Sequence, residues 1–484
     1  MNINFRVIIH VLGLLLGFNA LFMALCIPAS LYFNIDDVVS MGFSTTATGG
    51  LGMMLWALTR SQEKPNIRKR EGFLIVTLGW VVMALSGTLP YIMSGSVVSF
   101  TDAFFETMSG YTTTGASIIK DLDVIPRDIL LWRSMTQWIG GMGIIVLAVA
   151  ILPVLGIGGM QLFVAESPGL KPDKLAPKIR DTAKRLWLVY VGLTVAELLL
   201  LKVAGMSWYD ALNHALTTMA TGGFSTYNSS AAEFSPAIQY IIIVFMFLAG
   251  TSFTLTYFGL IGQVKKLFQN EEFRYYAGVV ALVTVISTII VASVMDDGLE
   301  KAFRDSLFQV ISLITTTGFV SADYTGWTPF LTIVFFMLLF IGGSAGSTAG
   351  GVKVVRHIIL FKNSFLELKR QLHPSAIIPV RLNKRAIDQS ITYDVVAFIM
   401  MYILIFAIGS IIMTTLGVDF DTALGAVATS LGNVGPGIGH VGPTDNFAWL
   451  SSGAKWFLSI LMLIGRLELF TVLILFTPYF WRKH

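Results

Sequence analysis

Long apolar runs recur from one end of this chain to the other, and between several of them lie shorter apolar runs closed by polar, glycine-containing stretches. A helix needs about 20 residues to cross a hydrocarbon core of roughly 30 Å. Ten runs qualify, centred near residues 20, 50, 82, 143, 193, 248, 285, 340, 402 and 465. The first, about Val7 to Phe33, is too long for a signal-peptide core and lacks a small-x-small cleavage pattern, so it is expected to be retained as a helix.

The shorter runs share one design. They read FTDAFFETMSGYTTTGAS from Phe100, WYDALNHALTTMATGGFST from Trp208, FRDSLFQVISLITTTGFVS from Phe303 and FDTALGAVATSLGNVGPGIG from Phe420. In each, an aromatic residue shortly precedes an aspartate: Asp102, Asp210, Asp305 or Asp421. An aspartate there would cap a helix, its carboxylate accepting from free first-turn amides and complementing the positive helix end. Ten or so helical residues reach only about half-way through the bilayer, so each run should dip in and return.

The return legs begin at Thr113-Thr114-Gly115, Thr221-Gly222, Thr317-Gly318 and Asn433-Val434-Gly435. These glycines follow their aspartates by thirteen, twelve, thirteen and fourteen residues, and in the fourth segment Gly432 offers a competing register. Irregular backbone at membrane depth is tolerated only where protein buries it or a water-filled path runs beside it. Glycine admits positive φ without a Cβ clash, so successive carbonyls can turn toward one axis and replace a cation's hydration shell. The short helices would aim their negative C-terminal ends at the same place. A single Thr-Gly pair reads as a helix cap or turn; four in one register, each between two spans, read as a pore. Ser44-Thr45-Thr46-Ala47-Thr48-Gly49-Gly50 imitates the pattern, but only a short acidic loop separates it from the first span, which makes it part of the second spanning helix.

Composition agrees. The 484 residues are 55% hydrophobic and 13% charged, against about 25% charged in a soluble domain. The fold class expected is all-α and integral to the membrane: ten spanning helices plus four re-entrant pore helices, in four pseudo-symmetric spanning-loop-spanning units around one pore. The divisions are 1–70 for two extra N-terminal helices, then 71–165, 166–268, 269–375 and 376–484 for the pore units. Lys64, Arg68, Lys69 and Arg70, the stretches Glu166 to Arg185 and Val352 to Arg385, Lys265, Lys266 and the tail Arg482-Lys483 fall on one side of this topology. The positive-inside rule makes that side cytoplasmic. The basic stretches could equally meet solvent or lipid headgroups. The opposite loops are rich in aspartate, Asp36, Asp37, Asp121, Asp123, Asp296, Asp297 and Asp323 among them, which would concentrate cations.

Span eight is interrupted by Gly342-Gly343-Ser344-Ala345-Gly346-Ser347-Thr348-Ala349-Gly350-Gly351, too glycine-rich for regular helix; close helix packing through small residues is the alternative reading. Gly350-Gly351-Val352-Lys353 lacks the Gly-Lys-Ser/Thr of a phosphate loop, which argues against ATP hydrolysis. Arg466 lies in the apolar last span, where an uncompensated charge costs at least a few kcal/mol. Residues two apart on a helix do not face each other, so Glu468 should serve another partner. Six scattered histidines and the lone Cys26 form no ligand set, so no enzyme, cofactor, disulfide or nucleic-acid partner is expected. Two rivals stand beside the pore: a secondary transporter with discontinuous helices, and a sodium- or proton-coupled symporter.

On these residues the chain resembles, over nearly its whole length, the Trk/Ktr/HKT superfamily of potassium transporters, and within it the bacterial TrkH-type membrane subunit. The resemblance implies potassium uptake across the bacterial inner membrane, with Gly115, Gly222, Gly318 and Gly435 contributing to K+ selectivity. It implies that the 342–351 segment is an intramembrane gating loop and that Arg466 projects into the pore below the filter. It further implies a homodimer docked on a cytosolic nucleotide-binding regulatory subunit of the TrkA type.

Overall fold

The computed structural model describes residues 3–33, 38–60, 68–143, 179–295, 298–376 and 378–482. Lys64, Asp36, Asp37, Asp296, Asp297, Lys483 and most of the basic stretch from Glu166 lie outside these residues. The described chain is almost entirely helical; its one sheet is a two-stranded hairpin, Arg381–Leu382 with Arg385–Ala386. Among the described residues, five helical segments are long and apolar enough to cross a membrane: Phe5–Tyr32, Lys69–Met93, Lys184–Val203, Glu271–Val294 and Gln389–Thr415.

Two more apolar stretches reach that length only as bent pairs. Pro236–Ala249 and Phe253–Leu260 meet at 114°, and Ser452–Arg466 and Phe470–Phe476 at 111°. The runs near 248 and 465 are therefore broken rather than straight, and the second break falls immediately after Arg466. Glu468 and Leu469 adopt φ of 52° and 56° there, which ends the helix. The run near 340 stops earlier than a span needs, as Pro329–Leu338.

The segment near 50 is helical throughout, Val38–Thr59, so Ser44 to Gly50 form no turn. It packs on Phe5–Ala24 where glycines let the backbones meet: a Cβ on Gly13 would lie 2.8 Å from Gly52 O, and one on Gly52 2.8 Å from Gly13 O. Arg6 donates to Thr59 O at 3.2 Å and Arg60 O at 2.9 Å, closing that helix's C-terminal carbonyls.

Four short helices lie between the longer ones: Phe100–Tyr111, Trp208–Met219, Leu299–Ile314 and Phe420–Gly432. At about 1.5 Å per residue the first two are roughly 18 Å long, too short to cross. Their apolar faces fill the interior. One core gathers Met83, Phe105, Trp132, Ala426 and Met462, another Met246, Tyr276, Phe308, Leu331 and Val434. The fourth short helix contributes to both, so the first and last parts of the chain close on each other.

Candidate ion pathway

Each short helix ends in the same turn. The last residues donate back in one pattern: Thr113, Thr221, Thr316 and Asn433 to the carbonyls of Gly110, Thr218, Leu313 and Ser430, and the next residues, Thr114, Gly222, Thr317 and Val434, to those of Ser109, Thr217, Ser312 and Thr429. Thr113, Thr221, Thr316 and Asn433 have φ of 53°, 54°, 55° and 54°, and two residues later Gly115, Gly223, Gly318 and Gly435 have φ of 81°, 76°, 80° and 106°. The first position accepts a left-handed Thr or Asn at some cost; the second, at larger φ, holds glycine in every strand.

The four glycines meet. A Cβ on Gly115 would strike Gly222 O, on Gly223 Thr317 O, on Gly318 Val434 O and on Gly435 Thr114 O, each inside 3.0 Å. The first strand touches the second, the second the third, the third the fourth, and the fourth the first. That order closes a ring of main-chain oxygens and glycine α-carbons.

The geometry corrects one register: the second strand's positive-φ glycine is Gly223, while Gly222 stands where Thr114, Thr317 and Val434 stand. With Gly223 the spacing from the aspartate becomes thirteen in each of the first three segments. The fourth assignment stays at Gly435, since Gly432 belongs to the helix.

A second correction concerns the caps. The N-caps are Ser99, Ser207, Gly298 and Asp419, not Asp102, Asp210, Asp305 and Asp421. Asp102, Asp210 and Asp421 sit inside the first turn, and Asp305 well within a longer helix. Serine at the first two caps accepts from the amide three residues on, Asp102 N at 3.4 Å and Asp210 N at 3.0 Å. The aspartate side chains do other work. Asp210 accepts from Thr226 at 2.8 Å and Tyr227 at 3.0 Å, Asp305 from Ser321 at 3.3 Å, and Asp102 pairs with Lys455 at 2.7 Å. They pin the returning chain or a neighbouring helix.

Below the ring the glycine-rich segment leaves helix and crosses the interior before Val354–Leu372 begins. Gly350 N donates to Thr316 Oγ1 at 2.7 Å, and Thr348 Oγ1 to Met219 O at 3.0 Å, so the loop lies directly under the second and third turns. Arg466 donates to Thr348 O at 2.8 Å, Gly140 O at 2.6 Å and Gly141 O at 3.1 Å, bridging this loop to the helix Arg127–Gly141. Glu468, beyond the end of the helix that carries Arg466, pairs with Arg356. Lys353, expected in a cytoplasmic loop, is buried and donates to Ala349 O, and Arg356 is buried beside Phe398. The first turns of Val354–Leu372 therefore belong to the interior.

The family model described as "Cation transport protein", TrkH, matches residues 42–483. The chain is 44% identical to the "Trk system potassium uptake protein TrkH" of Salmonella typhimurium and to that of Escherichia coli, in each case over 99% of this chain and 100% of the relative. It belongs to the TrkH family. The crystal structure titled "Potassium Transporter TrkH from Vibrio parahaemolyticus" superposes with a TM-score of 0.89 at 38% identity, covering 99% of this chain and 100% of that one. The "Trk system potassium uptake protein TrkG" of Escherichia coli is 34% identical over 99% of both chains. This TrkH-family chain is a multi-pass membrane protein of a transporter class.

Several residues behind the ring escaped the motif reading. Glu106 and Arg133 form a fully enclosed pair at 2.6 Å; Glu106 also accepts from Ile118 N at 2.8 Å, and Arg133 donates to Ser225 O at 3.0 Å over the Phe224 ring. Each charge is thus paired and hydrogen-bonded, the condition under which burial is tolerated. The pair ties the first returning strand to the second. At the outer surface, Asn228 reaches Asp121 at 3.0 Å, and that bond, with another from Asp123 N, holds the Asp121 carboxyl below the usual carboxylate range. The only signal for Glu106 and Arg133 was a charge of each sign among apolar residues; they stand on two different helices, and no motif pairs them.

Proposed function

We propose that this protein takes up potassium through one pore whose filter is the ring formed around Gly115, Gly223, Gly318 and Gly435. The observation that carries the reading is the cyclic order in which each glycine abuts the carbonyl of the next strand. Oxygens of Thr113, Thr114, Thr221, Gly222, Thr316, Thr317, Asn433 and Val434 are the candidates for replacing the hydration shell of K+. Thr113 Oγ1 and Asn433 Oδ1 are buried and have no hydrogen-bond partner among the described residues, which suits a polar conduit. The architecture proposed with it is ten spans and four re-entrant helices in four units, divided as the sequence pattern divides them.

In the same proposal the 342–351 loop and Arg466 form the gate. The guanidinium repels cations, and its bonds to Thr348 O and Gly140 O hold the loop across the conduit. The names of the curated relatives refer to a Trk system, which supports an assembly of several components; the same proposal makes this chain a homodimer in the bacterial inner membrane, docked on a cytosolic nucleotide-binding subunit of the TrkA type. The test is uptake of labelled rubidium into proteoliposomes against competing K+ or Na+. Gly115→Ser, Gly223→Ser and Gly318→Ser should each lower the preference for K+ over Na+ about tenfold, as expected if a side chain displaces a carbonyl by a kcal/mol or so. Unchanged preference in all three defeats the filter reading.

A further inference from the structure

The four filter strands are not braced alike. In the first, Thr112 Oγ1 and Thr114 Oγ1 are 2.8 Å apart; in the third, Thr315 Oγ1 and Thr317 Oγ1 are also 2.8 Å apart. Each hydroxyl pair spans the left-handed residue and ties the strand to the end of its own helix. In the fourth strand Gly432 and Val434 take those places, and Asn433 substitutes, its amide donating to Met462 O at 2.9 Å and Thr114 Oγ1 at 3.0 Å.

The second strand has Ala220 and Gly222 at these positions, so it carries no hydroxyl pair and two successive glycines, Gly222 and Gly223. Two glycines in sequence leave the backbone more freedom than any other strand has. Its brace comes from outside. Gln137, fully buried on the helix Arg127–Gly141, donates through Nε2 to Gly222 O at 2.6 Å and accepts through Oε1 from Phe224 N at 3.1 Å. One side-chain amide thus clamps the peptide groups on both sides of Gly223. The clamp also accounts for Gly222: a Cβ there would overlap the Gln137 carboxamide. Arg133, one turn earlier, fixes the next part of the strand through Ser225 O.

We propose that Gln137 is a positioning residue that sets the ion selectivity of the second filter strand by fixing the direction of the Gly222 carbonyl, which abuts Gly115. This rests on the filter reading above. A filter discriminates through the placement and field of its carbonyls, so one strand free to swing degrades the ratio between ions more than the rate.

The experiment compares K+ and Na+ as competitors of labelled rubidium uptake for Gln137→Leu, Gln137→Met, Gly115→Ser, Gly223→Ser and Gly318→Ser in proteoliposomes at matched protein. Gln137→Leu and Gln137→Met nearly keep the volume and remove both bonds, whereas a glutamate buried there would be held protonated and still donate to Gly222 O. The preference for K+ should fall roughly fivefold to tenfold in Gln137→Leu, the worth of one or two hydrogen bonds, with rubidium uptake retained. Gln137→Ala with Gly222→Thr should recover part of the preference lost in Gln137→Ala, since the threonine fills the vacated space. An unchanged preference in folded Gln137→Leu overturns the proposal; where that variant fails to fold, an unchanged preference in Gln137→Met does so. Loss in the glycine variants with retention in the Gln137 variants rejects only the role of Gln137, whereas retention in Gly115→Ser, Gly223→Ser and Gly318→Ser alike rejects the filter itself.

Discussion

Two glycine-rich regions touch in the interior, Gly350 N against Thr316 Oγ1, and are held in different ways. The ring around Gly115, Gly223, Gly318 and Gly435 is fixed locally, by the same pair of backbone bonds at the end of each short helix and by buried groups behind it. The 342–351 loop is tied mainly by bonds from distant elements: Arg466 to Thr348 O, Thr348 to Met219 O, Gly350 N to Thr316 Oγ1. Local backbone bonds break only when the helix end unravels, whereas bonds between elements break when one element shifts. Under the proposed function, the difference separates a filter that keeps its shape from a gate that opens.

The largest test of that contrast is at the two buried pairs. Glu106→Gln leaves Arg133 unpaired in a fully enclosed place and should destabilise the protein by about 3 kcal/mol, read as a fall in thermal unfolding midpoint. Glu468→Gln, with a more exposed carboxylate, should cost less and should raise rubidium flux, because Arg356 anchors the helix that follows the loop. Equal losses from both would erase the distinction.

A smaller effect is expected from Arg466→Ala. Removing the charge and its three bonds should raise rubidium uptake several-fold, equivalent to about 1 kcal/mol, while the preference for K+ stays as in the parent. Unchanged or reduced uptake speaks against a barrier at this residue. The smallest concerns a helix start far from the gate: Ser207→Ala removes a cap bond and should cost about 1 kcal/mol of stability without altering the flux ratio.

The four segments were legible in the sequence because each must solve the same problem, a half-crossing helix followed by an irregular turn. The register of the second was not. Thr221-Gly222 looks like Thr114-Gly115, and only the φ values show that the left-handed residue is Thr221 and the partner glycine Gly223. None of the four aspartates is the cap: Asp305 lies well inside its helix, and a serine three residues before Asp102 and Asp210 takes the cap there, because its hydroxyl reaches the third amide while the carboxylate turns to Thr226 or Lys455. The bends at Gly250 to Ser252 and after Arg466 were hidden inside apolar runs, since hydropathy reports depth in the bilayer and carries nothing about direction.

The amino-acid pattern alone determined that this chain lives in a membrane, that it is helical, and that four short segments end in glycine-bearing turns, for those follow from local hydrophobicity and from what only glycine permits. The tertiary structure decided which glycines share a ring, which carbonyls Arg466 reaches, and that Gln137 clamps the second strand. Those are contacts between residues 80 to more than 300 apart in the chain, such as Gln137 with Gly222 and Arg466 with Gly140, and no local rule encodes such pairings.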